Sequence, residues 1–268
     1  MRDSNVSQEK EFYGFETIHQ TNSVDVLLLK SSDKHLFKNV PSHLKSELTD
    51  FFDKFKEIGK DKSIDWCDLN KAKNFLLGRW VGTQILVNQF SQSNSQQSNL
   101  QSLKSGDFCI RNATEEFRFG KPLVFIQNCE TSYCISISHS DYLGLAGFSL
   151  NQNIGVDMEL VKPRTETFKN LVLTASEIKI LEKQINRQDE ILTAFWVSKE
   201  AISKVIGKGL KVPLKNFNVV LDIENLYNKP SRGILLDSNL SETCYSIRIF
   251  QKKHLGRLYI LALAEPLG

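Results

Sequence analysis

A chain of 268 residues, 41% hydrophobic and 10% aromatic, can bury one large core or two small ones, which excludes wholesale disorder. The formal net charge of +3, with no dense Lys/Arg run, argues against a nucleic-acid binder and is compatible with a small polyanion or an acidic protein as partner. Five cysteines without a C-x-x-C pair argue against a disulfide framework or a zinc site. With no apolar leader segment and no run of 18 apolar residues, a cytoplasmic protein without membrane contact is expected.

Residues 24–29 read as a strand. Leu44, Leu48, Phe51, Phe52, Phe55 and Ile58 form a helical stripe over 42–58. A second helix is predicted over 66–90, with Phe75, Leu76, Trp80 and Ile85 on its buried side. Residues 91–102, rich in Ser and Gln and without periodicity, read as a loop. After Gly120-Lys121-Pro122 the pattern becomes strand-like. Segments 133–138 and 142–149 predict a hairpin whose turn holds His139, Ser140 and Asp141. A strand over 154–160 ends at Lys162-Pro163-Arg164. Helices follow over 175–185 and 188–206, with Gly207 and Gly209 as C-terminal punctuation, then strands over 216–222, 232–236, 244–251 and 257–264.

Each half thus has a long helix followed by a strand–turn–strand. This predicts an α+β fold of two pseudo-symmetric lobes, each a small antiparallel sheet packed with a long helix, with the active site in the cleft between them. The boundary is placed at 152/153, giving lobes 1–152 and 153–268.

Three segments carry candidate chemistry. In the strand, Asp157 and Glu159 share one face while Ile154, Val156, Met158 and Leu160 take the other. Two adjacent carboxylates repel, and a hard divalent cation relieves that repulsion. The plain alternative is a solvated outer strand face. In the 188–206 helix, Glu200 and Lys204 are one turn apart and would form an ordinary i,i+4 pair. Trp196 on the same side and Lys199 next to Glu200 instead suggest a group suited to a metal ion and a phosphate. His139 among Ser136, Ser138 and Ser140 is a polar hairpin tip or a phosphate donor. No nucleophile elbow, P-loop or dinucleotide fingerprint occurs.

Gly120-Lys121-Pro122, the Ser-Ile-Ser-His-Ser run at 136–140, the Ile-Gly-Val-Asp-Met-Glu run at 154–159 and the W-x-x-K-E-x-x-x-K run at 196–204 resemble, in this order, the 4′-phosphopantetheinyl transferases of the long, two-lobed, surfactin-synthetase-activating type. Phe75-Leu76-Leu77-Gly78-Arg79 is a weaker match to a first-lobe helix, and residues 1–65 match nothing. The resemblance implies a monomer that binds coenzyme A and Mg2+ between its lobes. It would transfer the 4′-phosphopantetheine arm to a serine of an apo acyl or peptidyl carrier protein and release 3′,5′-adenosine bisphosphate. It implies Asp157, Glu159 and Glu200 as metal ligands, Glu200 and Lys204 as catalytic residues, and Arg79, Arg118, Lys121, Ser138, His139 and Lys204 as contacts to coenzyme A. The alternatives are a Mg-dependent nucleotide pyrophosphohydrolase, told apart by its products without a carrier, and a non-catalytic carrier-binding module, which would hold coenzyme A without turnover.

Overall fold

The computed structural model describes residues 14–21, 24–30, 69–92, 107–113, 120–141, 143–207, 212–235 and 243–267. The helix expected over 42–58, most of the Ser/Gln-rich segment, Arg118 and Gly209 lie outside these residues.

Among them the chain forms two antiparallel sheets. The first contains β1 (Gly14–Gln20), β2 (Val24–Lys30), β3 (Phe108–Asn112), β4 (Pro122–Ile126), β5 (Cys129–Ser140) and β6 (Leu143–Ser149), in the order β1-β2-β6-β5-β4-β3. The second contains β7 (Gly155–Leu160), β8 (Phe217–Val220), β9 (Ser231–Leu235), β10 (Cys244–His254) and β11 (Arg257–Pro266), in the order β7-β11-β10-β9-β8. Helix α1 (Leu69–Gln92) lies between β2 and β3. Helices α2 (Glu166–Val172), α3 (Ala175–Glu182) and α4 (Gln188–Ile206) lie between β7 and β8. Without β1 the two sheets have the same strand order, with β7 standing where β2 stands. The α+β fold of two similar lobes expected from the sequence is therefore present.

Three apolar clusters make four layers. Leu77, Val81, Ile85 and Leu86 of α1 pack with Leu27, Ile110, Ile135 and Phe148 of the first sheet. Val24, Val26, Leu28, Leu143 and Leu145 meet Val156, Met158, Tyr259, Leu261 and Leu263 between the sheets. Ile191, Phe195, Val197, Ala201 and Ile202 of α4 pack on the far face of the second sheet, with Ile247, Ile249 and Ala262. The alternation read in β7 has a direct cause: Val156 and Met158 face the other sheet, and the carboxylate face lies toward α4.

The structure corrects several expectations. The hairpin does not turn at His139. Ser140 pairs with Leu143, so β5 runs through His139 and Ser140, and the left-handed Asp141 (φ 49°) begins the turn. Strands β1 and β3 and the short helix α2 were not anticipated, and β4 only as a strand-like pattern without bounds after Pro122. Helix α2 starts at Thr165, whose side chain accepts from the Phe168 N–H.

Candidate active site

The site is built where α4 crosses β7. A Cβ on Gly155 would lie 1.9 Å from the Ala201 carbonyl oxygen and 3.0 Å from the Val205 nitrogen, so only glycine lets the helix backbone rest on the strand here. Two and four residues along the same face come Asp157 and Glu159. One residue before and three after Ala201 come Glu200 and Lys204. The helix then stops at Gly207, left-handed at φ 75°, whose N–H caps the Ser203 and Lys204 carbonyls.

Asp157 is buried, 7% exposed, which rules out the solvated-face reading for it. Its Oδ1 accepts from the Ser138 hydroxyl at 2.8 Å and from Lys204 Nζ at 2.8 Å. Lys204 also donates to the Val156 carbonyl at 2.9 Å and to the Ile137 carbonyl at 3.2 Å. All three ammonium hydrogens are thus engaged, across both lobes. Lys204 forms its ion pair with Asp157 rather than the i,i+4 pair with Glu200.

Ser138 needs a matching correction. Its hydroxyl donates to Asp157 and accepts from the Met158 N–H at 3.3 Å, so in this structure it orients a carboxylate rather than offering itself to a phosphate. Ser136, to which the sequence assigned no separate role, accepts from the Val156 N–H at 2.9 Å. These serines and Lys204 engage the Val156 and Met158 N–H groups and the Val156 carbonyl on the side of β7 turned away from β11. The physical reason is that β4 leaves β5 at Cys134, so the rest of β5 can face β7 through side chains.

Glu159 accepts from Arg164 Nη2 at 3.2 Å. The Arg164 guanidinium lies 4.4 Å from the Trp196 ring centre and 5.1 Å from that of Phe168, and the two rings are 4.2 Å apart. Trp196 is therefore the platform under the arginine that holds Glu159. Nothing in the sequence pattern marked Arg164.

The carboxylates feel one another. Burial, then the charges of Asp157 and Glu159, push the Glu200 carboxyl up to about 7, with Lys204 opposing. Burial and Asp157 raise Glu159, with Arg164 opposing. His139 remains exposed at the surface, but the protein around its ring and the Lys204 ammonium hold its pKa below the usual histidine value. Its ring rests against α1, where a Cβ on Gly78 would lie 3.7 Å from His139 Cδ2.

The other expected residues are placed around this centre. Lys121 Nζ donates to Asn153 Oδ1 at 3.0 Å, and its stem lies 3.6 Å from the position of a Cβ on Gly207, at the end of α4. Arg79 is buried on α1 and donates to the Asn112 side chain. Lys199, grouped with Glu200 and Lys204 on sequence, faces the other way. It is fully buried and bonds Glu177 Oε2 at 2.6 Å and the Val172 carbonyl at 2.7 Å, so it is structural.

Among the described residues no three His, Cys, Asp or Glu side chains converge into a formed metal site. The chemistry of the set nonetheless fits a hard divalent cation: Asp157, Glu159 and Glu200 are oxygen donors whose mutual repulsion a cation relieves. Asp157 and Glu159 would share or give up their present partners, Ser138 and Lys204 for the one and Arg164 for the other. Among the described residues no helix is long and apolar enough to cross a membrane.

Residues 153–263, which contain β7, α4 and all three carboxylates, match a family described as the 4′-phosphopantetheinyl transferase superfamily. The chain is 34% identical over 113 residues to the 4′-phosphopantetheinyl transferase Sfp of Bacillus subtilis (strain 168), covering 42% of this chain and 48% of that one. It is 32% identical over 113 residues to the 4′-phosphopantetheinyl transferase ffp of Bacillus subtilis, with the same coverage. It is 28% identical over 94 residues to the 4′-phosphopantetheinyl transferase HetI of Nostoc sp. (strain PCC 7120), covering 34% and 40%. The matched part spans about half the length of these curated relatives or less.

Proposed function

We propose that this chain, whose residues 153–263 belong to the 4′-phosphopantetheinyl transferase superfamily, moves the 4′-phosphopantetheine arm of coenzyme A onto a serine of an acyl or peptidyl carrier protein, acting as a cytoplasmic monomer. The observation that carries the reading is the crossing of α4 over β7. It gathers Asp157, Glu159, Glu200 and Lys204 inside the matched segment.

Glu200 is the proposed base. Without a cation, burial and the neighbouring carboxylates raise its carboxyl to about 7; a cation held by the three carboxylates would lower it again and leave Glu200 ionised, ready to accept a proton. The carrier serine hydroxyl attacks the β-phosphorus of coenzyme A. Its proton goes to Glu200, the β-phosphorus to bridging-oxygen bond breaks, and 3′,5′-adenosine bisphosphate leaves with the electron pair. Asp157, Glu159 and Glu200 would hold Mg2+, whose charge offsets that of the pyrophosphate. Lys204 brings positive charge beside the carboxylates for the leaving phosphate. His139 and Lys121 line the approach from the first lobe and would contact other phosphate oxygens, while Ser138 keeps Asp157 in its orientation.

The test is the intact mass of apo carrier proteins after incubation with coenzyme A, magnesium and this protein. A gain of one phosphopantetheine group per carrier is expected. Coenzyme A hydrolysed with every carrier left unmodified would sink the proposal and favour a pyrophosphohydrolase.

A further inference from the structure

Arg164 is a cation bonded to Glu159 that neither the sequence pattern nor the proposed chemistry employs. Its side chain is 15% exposed, its guanidinium carbon lies over the Trp196 and Phe168 rings, and Nη2 bonds to Glu159 Oε2. Its Nε, also buried, has no hydrogen-bond partner among the described residues. An arginine with one donor on a carboxylate and another unspent is an incomplete arrangement, because a buried N–H left unmade is costly. Arginine is also the side chain suited to planar, forked recognition of phosphate. Stacking fixes the guanidinium independently of Glu159, so the carboxylate can turn away while the arginine stays in place.

We propose that Arg164 is an exchangeable counter-ion: a divalent cation taking Glu159 displaces it, and its freed fork then binds a phosphate oxygen of the incoming substrate. Metal and phosphate are thereby coupled, since the first uncovers part of the site of the second. The phosphate half of this inference rests on coenzyme A being the substrate. The metal half does not.

The opposing signs of the two effects make the test decisive. Manganese(II) is titrated alone into the full chain, with unbound ion followed by its electron paramagnetic resonance signal. Coenzyme A binding is then measured at saturating manganese. Arg164→Gln removes a competitor for Glu159, so manganese should bind roughly three- to tenfold tighter, the scale of one partly exposed ion pair. The same variant should bind coenzyme A about tenfold more weakly or worse. Arg164→Lys keeps a point charge but not the fork. It should bind manganese like the wild type and coenzyme A more weakly, and it carries the test if Arg164→Gln does not fold. Manganese affinity that falls or stays unchanged in Arg164→Gln would make Arg164 a mere support for Glu159 and overturn the proposal. Unchanged coenzyme A affinity in both variants would overturn the phosphate role. Absence of carrier modification by the wild type would overturn the transferase reading alone, because the manganese arm needs neither coenzyme A nor carrier.

Discussion

The two lobes share a strand order and a long helix laid on a sheet, yet the helix backbone comes much closer to the sheet in the second. In the first lobe a Cβ on Gly144 of β6 would still lie 3.0 Å from the Leu77 carbonyl oxygen, and the helix supplies glycines of its own. Gly78 and Gly82 of α1 make room for the side chains of Ile110, Ile135 and Ile137, and the contact is with flexible side-chain tips. In the second lobe the strand supplies the glycine, and Gly155 meets the backbone of α4 directly. Backbone-to-backbone approach fixes the register of helix against strand far more tightly than an isoleucine tip can. The carboxylates that need fixed mutual geometry lie in the second lobe, two and four residues beyond that contact. Among the described residues the three candidate carboxylates thus lie in the second lobe, and the first contributes Ser136, Ser138 and His139 across the boundary.

The largest effect expected from this contrast is at its two glycines. Gly155→Ala puts a methyl into a carbonyl that cannot move alone, so the loss should exceed the ~1–3 kcal/mol typical of overpacking, and soluble folded protein should be scarce. Gly82→Ala, facing the Ile110 tip at 2.7 Å, should cost about 1 kcal/mol, because a rotamer change relieves it. Thermal melts of the two variants check the contrast, and equal losses would break it.

The next effect tests the charge buried in the second lobe. Lys199→Met leaves the Glu177 carboxylate in the core without its cation and should cost about 3–5 kcal/mol by denaturant unfolding. A near-neutral result would show that the Thr174 and Val219 N–H groups already suffice for Glu177.

A smaller effect, of opposite sign, is expected at Glu200. Its carboxyl is raised in the folded protein, so folding favours its protonated form. The corresponding stability is full below the ordinary glutamate pKa and declines as pH rises through the window up to about 7. Glu200→Gln should therefore raise the melting temperature at pH 8 without added metal, by about 2–4 °C, the shift that 1 kcal/mol produces in a domain of this size. At pH 4 it should change little. A lower melting temperature at pH 8 would contradict the crowded-carboxylate account.

The smallest effect concerns the first lobe's contribution. If that lobe binds while the second reacts, His139→Ala should raise the KM for coenzyme A about tenfold, the worth of one charge-assisted hydrogen bond, with kcat little changed. A fall in kcat at constant KM would erase the division of labour between the lobes.

The sequence made β7 and α4 legible because both are strongly periodic and end in clear punctuation at Lys162-Pro163 and Gly207. Family likeness supplied the roles expected of Asp157, Glu159, Glu200 and Lys204. What stayed hidden was tertiary. Glu177 is visible locally as the last residue of a Thr-x-x-Glu capping box with Thr174. Its other partners, Lys199 and the Val219 N–H, lie 22 and 42 residues away. The five-residue strands β3 and β4 are too short for alternation to stand out. Helix α2 is only seven residues long, and its visible start signal is Thr165-Glu166 soon after Pro163. Arg164 could not be singled out because Trp196 and Phe168 become its platform only when α4 lies beside the segment that follows β7.

The hydroxyls of Ser136 and Ser138 and the ammonium of Lys204 have a consequence unrelated to catalysis. Strand β7 is the outermost strand of its sheet, and such a border is a ready template onto which another chain can add a strand. Here the Val156 and Met158 N–H groups are already taken by the Ser136 and Ser138 hydroxyls of the neighbouring lobe, and the Val156 carbonyl by Lys204 of α4. Docking the lobes therefore seals a border that would otherwise be sticky. A fragment comprising the second lobe alone would bare that border, so self-association through β7 is its expected fate even where its own core is intact.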